Sequence, residues 1–217
     1  MRMTIVCCIL LFIAVPGAVG AQPFTSDELL RWRALGLGTA IDPGHGTVQL
    51  SETSGSKGAV LLSSEAYGTD VVVKYRVMPL SAATVLVALL SYSDTEDGSH
   101  LTVPVYYDGS IGLWTRDRHG YFFAFHAAAH NGTPHIRRSP GGRLASAKNG
   151  PMRVGQWHQV EVGRRGNHLW LKIDGETVVE AKDDAAKEGG HVGFRIRGTG
   201  TGLASCLIAD VVIEANK

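Results

Sequence analysis

Runs of alternating apolar and polar residues, cut apart by Gly, Pro, Asn and Asp, fill most of this chain. A period of two sends successive side chains to opposite faces, so each run reads as a strand with one face in a core. Residues 70–78 show it plainly: Val71, Val73, Tyr75 and Val77 alternate with Val72, Lys74 and Arg76. Further strands are expected at 47–52, 58–63, 100–107, 110–116, 156–164, 168–173, 177–181, 191–197 and 204–214. Residues 84–93 form a long apolar run, as in a central strand covered on both faces. Asp108-Gly109 and Asp174-Gly175 are hairpin signals, and residues 36–46 and 143–154 read as loops. A helix is expected only after Thr25, where a capping residue and the acids Asp27 and Glu28 precede Leu29 and Leu30. Roughly a dozen short strands with almost no helix specify an all-β, antiparallel sandwich or barrel. No domain boundary or internal repeat breaks the pattern.

The N-terminus follows a different rule. Arg2, an apolar run from Ile5 to Val15 and the small residues Ala18-Val19-Gly20-Ala21 form a signal peptide with cleavage expected after Ala21. The apolar run falls short of the ~20 residues that span a bilayer, so no stable membrane anchor is expected. Residues 22–217 then form one domain, exported to the periplasm or secreted. Loss of Arg2 from 21 basic residues leaves 20 against 20 acidic ones; that balance argues against nucleic-acid binding. Of the three cysteines only Cys206 survives cleavage, so the domain holds no internal disulfide. Among Leu203, Ala204, Leu207 and Ile208, its thiol reads as buried and inert.

Residues 121–138 concentrate the chemistry. The stretch opens as an apolar, aromatic strand from Tyr121 and closes as a loop carrying His126, His130, Asn131, His135, Arg137 and Arg138. A rigid strand that delivers polar side chains to a loop is a common way to build a site. A second candidate surface comes from alternation. Leu169, Leu171 and Ile173 point to the core, so His168, Trp170 and Lys172 point away; Phe194 and Ile196 point in, so Arg195 and Arg197 point out. Taken as one sheet face, Trp170, Lys172, Arg195 and Arg197 would line a groove for a ligand.

Gly155-Gln156-Trp157-His158, then Leu169-Trp170-Leu171-Lys172-Ile173-Asp174-Gly175, then Gly193-Phe194-Arg195-Ile196 resemble the concanavalin A-like lectin/glucanase superfamily, which implies a β-sandwich jelly roll. His126, Ala129-His130-Asn131 and Ile136-Arg137-Arg138-Ser139-Pro140-Gly141 resemble more closely the YesU-like family within it. That resemblance covers most of the mature chain and implies a setting in the use of plant cell-wall polysaccharides, notably rhamnogalacturonan. It brings no established reaction with it.

The glucanases of the superfamily carry a Glu-x-Asp-x-Glu pattern because a retaining glycosidase needs two carboxylates about 5 Å apart. This chain lacks that pattern. Its basic residues suit an acidic sugar better. Arg137 and Arg138 can fork onto a carboxylate. A lyase needs such cations, and a base to take the proton next to the carboxylate. Tyr121, His126, His130 and Arg137 would supply that chemistry, with Asn131, Arg138, Trp170, Lys172, Arg195 and Arg197 binding substrate. His126 and His130 have the spacing of a zinc pair, but no Glu stands between them. No cofactor is expected, although loop carboxylates such as Asp94 and Asp97 could hold a structural calcium. Three roles stay open: a carbohydrate-active enzyme, a non-catalytic carbohydrate-binding protein, and a laminin-G-like protein-interaction module. The expected partner is an acidic plant or microbial polysaccharide or oligosaccharide.

Overall fold

The computed structural model describes residues 21–94, 97–127, 132–148, 150–185, 188–200 and 202–216. The expected leader up to residue 20, together with His130 and Asn131, lies outside them.

Alternation builds two sheets of the described residues, each of seven antiparallel strands. In chain order the strands are β1 (Arg33–Gly36), β2 (Gly38–Ile41), β3 (Thr47–Glu52), β4 (Ala59–Tyr67), β5 (Val71–Pro79), β6 (Val85–Ser93), β7 (His119–Ala127), β8 (His135–Ser139), β9 (Arg143–Ser146), β10 (His158–Arg165), β11 (His168–Ile173), β12 (Glu176–Lys182), β13 (Gly190–Arg197) and β14 (Ser205–Ala215). Sheet I runs β1-β4-β13-β6-β7-β8-β9 and sheet II runs β12-β11-β10-β5-β14-β3-β2. The result is the expected all-β jelly-roll sandwich.

The inward faces meet in one apolar core. Val73, Tyr75 and Val77 of β5 and Leu169, Leu171 and Ile173 of β11 oppose Leu86, Ala88 and Leu90 of β6, Phe123 of β7 and Phe194 of β13. Phe194 stacks on Trp32 and tilts against Tyr75 at 4.6 Å. The one α-helix among the described residues, α1 (Ser26–Leu30), starts at a capping box in which Thr25 and Glu28 bond each other's backbone N–H; it buries Leu29 in that core. Cys206 is buried there too, and burial pushes its thiol up to about 12, which keeps it protonated.

β6 is buried along its whole length for a different reason on each face. Its inner face meets sheet II. Its outer face, with Val60 and Leu62 of β4 and Phe122 and Ala124 of β7, packs under Leu101, Leu113 and Trp114. These three belong to a segment that covers part of sheet I's outer face. The sequence predicts strands at 100–107 and 110–116; the structure has irregular chain there, ending in a π-helical turn, Leu113–Asp117. The alternation in this segment reflects docking onto β6 rather than pairing in a sheet. Tyr92 donates from its hydroxyl to the Trp114 carbonyl, and Trp114 donates from Nε1 to the Tyr107 hydroxyl at 2.5 Å. Asp108-Gly109 turns the cover against the start of β4 instead of closing a hairpin. A Cβ on Gly109 would lie 1.8 Å from the Gly58 carbonyl oxygen, so the approach needs glycine.

Two expected loops contain short strands: β1 and β2 begin before and within 36–46, and β9 lies within 143–154. The expected loop at the end of the 121–138 stretch is also strand in part. His126 sits on β7, while Arg137 and Arg138 sit on β8.

Candidate functional site

Where the cover stops, the outer face of sheet I holds a cavity of about 260 Å³. Its apolar lining comes from Val85, Phe122 and Ala124, and Ile111 and Thr115 of the cover form one wall. The rest is basic: His135 and Arg137 from β8, Arg143 from β9, and Arg195 and Arg197 from β13. No carboxylate lines it among the described residues. The register explains the gathering. Phe122 pairs with Arg137, Phe123 with Ile136 and Ala124 with His135, so His135 and Arg137 share the outer face while Ile136 enters the core.

Arg195 is only 1% exposed. Its Nη2 donates to the carbonyls of Lys57 and Gly109, each at 2.9 Å, which ties the cover to the sheet. Its Nε is buried without a partner, as is the Nε of Arg137. Arg137 donates from Nη2 to the Gly141 carbonyl at 3.0 Å. Burial pulls the Arg195 guanidinium below its ordinary pKa; the Tyr107 hydroxyl works against that and Arg197 adds to it. Glu52, whose charge Arg195 feels, spends its carboxylate on the N–H groups of Gly198 and Ala204 at 2.6 and 2.9 Å. None of the four guanidinium groups forms an ion pair with a described carboxylate. A buried cation without a counter-charge is costly, and buried donors call for an acceptor. An anion that fits the cavity supplies both. His135, 7% exposed, stacks on Phe122 at 6.2 Å.

The sequence-derived site residues do not all meet here. Tyr121 pairs with Arg138 across the strands and belongs to the inner side of sheet I, opposite to Arg137. Its buried hydroxyl donates to Asp183 at 3.0 Å. Arg138 bonds the same carboxylate at 2.7 Å, and the Arg164 guanidinium lies over the Tyr121 ring. Burial raises the Tyr121 phenol well above its usual pKa. Tyr121 and Arg138 therefore bind the 183–185 turn to the sandwich edge, and Tyr121 cannot act as a base beside Arg137. His126 holds the Thr84 carbonyl through Nδ1 at 2.5 Å and is not among the residues that line the cavity.

The expected common face of Trp170, Lys172, Arg195 and Arg197 is split. β11 lies in sheet II and β13 in sheet I, so the two pairs stand on opposite sides of the molecule. Trp170 lies flat over Gly163, where a Cβ would come 2.1 Å from its ring. It donates from Nε1 to Glu161 at 2.6 Å, and Lys172 pairs with the same carboxylate at 3.1 Å. Of the expected residues, the cavity gathers Arg137, Arg195 and Arg197, and it adds Phe122, His135 and Arg143. Alternation along β8 separates His135 and Arg137 from Arg138 once 135–139 is read as strand instead of loop. Asp94 bonds the Thr102 N–H at 2.8 Å and Asp97 caps Ser99. No three His, Cys, Asp or Glu side chains cluster as metal ligands among the described residues.

Residues 92–199 match the family model of the laminin G domain. Among solved structures, a Bacillus subtilis protein of unknown function with a galectin-like fold superposes with a TM-score of 0.74 at 16% identity, covering 90% of this chain and 96% of that one. The carbohydrate binding module CBM66 from Bacillus subtilis gives 0.60 at 17%, covering 86% and 97%. A Bacillus licheniformis beta-glucanase gives 0.57 at 13%, covering 92% and 100%. At these identities the likeness is one of fold. No curated protein matches the sequence.

Proposed function

We propose that this protein binds an acidic saccharide in the basic cavity on the outer face of sheet I. The observation that carries the reading is the pair of buried, unpartnered Nε donors on Arg137 and Arg195 in a cavity that has no acidic lining among the described residues. A carboxylate on a sugar gives them acceptors and offsets the charge, while Phe122 and Ala124 give the ring an apolar floor. The carbohydrate binding module and the glucanase among the structural neighbours support a saccharide ligand, as does the resemblance to the YesU-like family and its setting in plant cell-wall polysaccharide use. The laminin G match fits a binding role. Residues 1–21 act as a cleaved signal peptide and direct the protein out of the cytoplasm; N-terminal sequencing of the exported protein should start at Gln22.

Calorimetry with polygalacturonate and with a neutral glucan tests the reading. Polygalacturonate should bind and the neutral glucan should not, and Arg137→Ala should remove the difference. Equal binding of both polymers would overturn it.

One observation keeps cleavage in view. His135 lines the same cavity as Arg137, which places an imidazole beside a carboxylate-binding cation as a lyase requires. A rise in ultraviolet absorbance from new unsaturated uronates, lost in His135→Ala while binding persists, would make the protein a lyase. Two-carboxylate hydrolysis finds no acid among the described residues that line this cavity.

A further inference from the structure

Deepening that reading and resting on it, we infer that the saccharide site continues past Arg197 into a second cavity, which holds an uncharged, hydroxyl-bearing unit next to the acidic one. A cavity of about 410 Å³ lies where β13 ends, between the loop after β3 and the loop after β13. Arg197 lines both cavities. Lys57, whose carbonyl accepts from Arg195 Nη2 in the first cavity, lines the second. Arg195 and Arg197 stand two residues apart on one strand, a separation of about 6.5 Å. The two spaces are therefore neighbours, with the exposed Arg197 as their common edge.

Their linings differ in charge. No described acid lines the first. The second contains Glu52, only 7% exposed. The N–H groups of Gly198 and Ala204 both donate to its Oε2, at 2.6 and 2.9 Å, and no described residue donates to Oε1. A buried carboxylate oxygen calls for a donor, and a sugar hydroxyl is one. A carboxylate on the ligand would meet it as a like charge. The basic residues do not reverse this. Lys57 is paired with Asp108 at 2.8 Å, which leaves Arg197 to balance Glu52. A balanced lining favours neither an acidic nor a cationic unit. Ser54 and Ser56 add hydroxyl groups, and Leu203, 48% exposed, offers an apolar edge to a ring face. Together the cavities suit a segment in which a uronate and a neutral sugar are neighbours, in preference to a run of uronates.

The test is calorimetry on the full-length mature protein with galacturonate, digalacturonate and disaccharides of one uronate and one neutral hexose in both linkage orders. The better mixed disaccharide should bind at least about tenfold tighter than galacturonate and at least about threefold tighter than digalacturonate. Glu52→Gln, which removes the like charge and replaces an accepting oxygen with a donating amide, should cut the preference over digalacturonate to below about twofold. Ser54→Trp fills the second cavity without touching the Glu52 bonds, and so serves even if Glu52→Gln fails to fold. It should bring the mixed disaccharide to within about threefold of galacturonate. Mixed disaccharides that bind no tighter than galacturonate or digalacturonate, or that Ser54→Trp binds as tightly as the wild type does, would overturn the second cavity's role and leave the acidic-saccharide reading standing. No binding to any of these ligands would overturn that reading, and this inference with it.

Discussion

On the outer face of sheet II, charges come in pairs. Lys74 meets Glu214 at 2.6 Å, Arg76 meets Asp210 at 2.5 Å, and Lys172 meets Glu161 at 3.1 Å. On the outer face of sheet I, Arg137, Arg143, Arg195 and Arg197 line a cavity with no described acid beside them. Both faces follow from the same alternation of apolar and polar residues. They differ in where the counter-charge comes from. Cross-strand neighbours on sheet II neutralise each other in water, where such pairs add little. On sheet I the cover removes water from Arg195 without bringing a described carboxylate into an ion pair with it. The sandwich edge is the intermediate case. There Arg138 and the Tyr121 hydroxyl share a buried Asp183, 4% exposed in its side chain, and the demand is met within the chain. Arginine count alone therefore does not mark a site; unmet pairing under cover does.

The most disruptive way to break this contrast is to remove the cover. Trp114→Ala should cost about 3–5 kcal/mol, as for a fully buried large aromatic side chain, and urea denaturation measures it. Next comes Asp183→Ala, which leaves Tyr121 and Arg138 without their shared acceptor. Because Arg138 is partly exposed, the loss should be about 2 kcal/mol, under the range for fully buried pairs, with saccharide binding unchanged. Arg137→Ala sharpens the contrast from the other side. Uronate binding should weaken by about 1.5–3 kcal/mol, the worth of hydrogen bonds to a charged group, while stability shifts by less than about 0.5 kcal/mol. Arg76→Ala on sheet II should change stability by only ~0–1 kcal/mol and leave binding as it was; a loss of binding comparable to that of Arg137→Ala would end the distinction between the faces.

The smallest effect is in pH. Burial raises the Glu161 carboxyl, but hydrogen bonds from Trp170 and Lys172 and the lysine charges outweigh it and hold its pKa below the ordinary 4.5. A depressed folded pKa means that this contribution is fully present above pH 4.5 and is lost as pH falls through the folded value. Glu161→Gln should flatten the acid side of the stability curve below pH 4.5, a difference that thermal melts at pH 3 to 5 would show.

Much of the fold was legible in the chain. Period-two alternation placed Leu169, Leu171, Ile173, Phe194 and Ile196 in the core, and the long apolar run at 84–93 announced a strand covered on both faces. The capping residue Thr25 and the acids after it marked the helix, which the structure starts at a capping box. The candidate site was legible only in part. Arg195 and Arg197 stood out as basic residues on the outward side of a strand and Arg137 as a basic residue on an expected loop, but Tyr121 and Arg138 stood out in the same 121–138 stretch and belong elsewhere. A change of one residue moves a side chain to the opposite face, so the site depends on register across β7 and β8, and that register is set by pairing over distance.

The sequence by itself determined the strand class, the inward and outward sense of most strands, and the buried thiol of Cys206, because each rests on neighbours along the chain. The tertiary structure alone decided that β13 pairs with β4 and β6 while β11 pairs with β10 and β12. It alone laid residues 101–117 over sheet I instead of adding them to a sheet. Both are choices among long-range partners that leave the local alternation unchanged, and they determine which arginines lose water without gaining an acid.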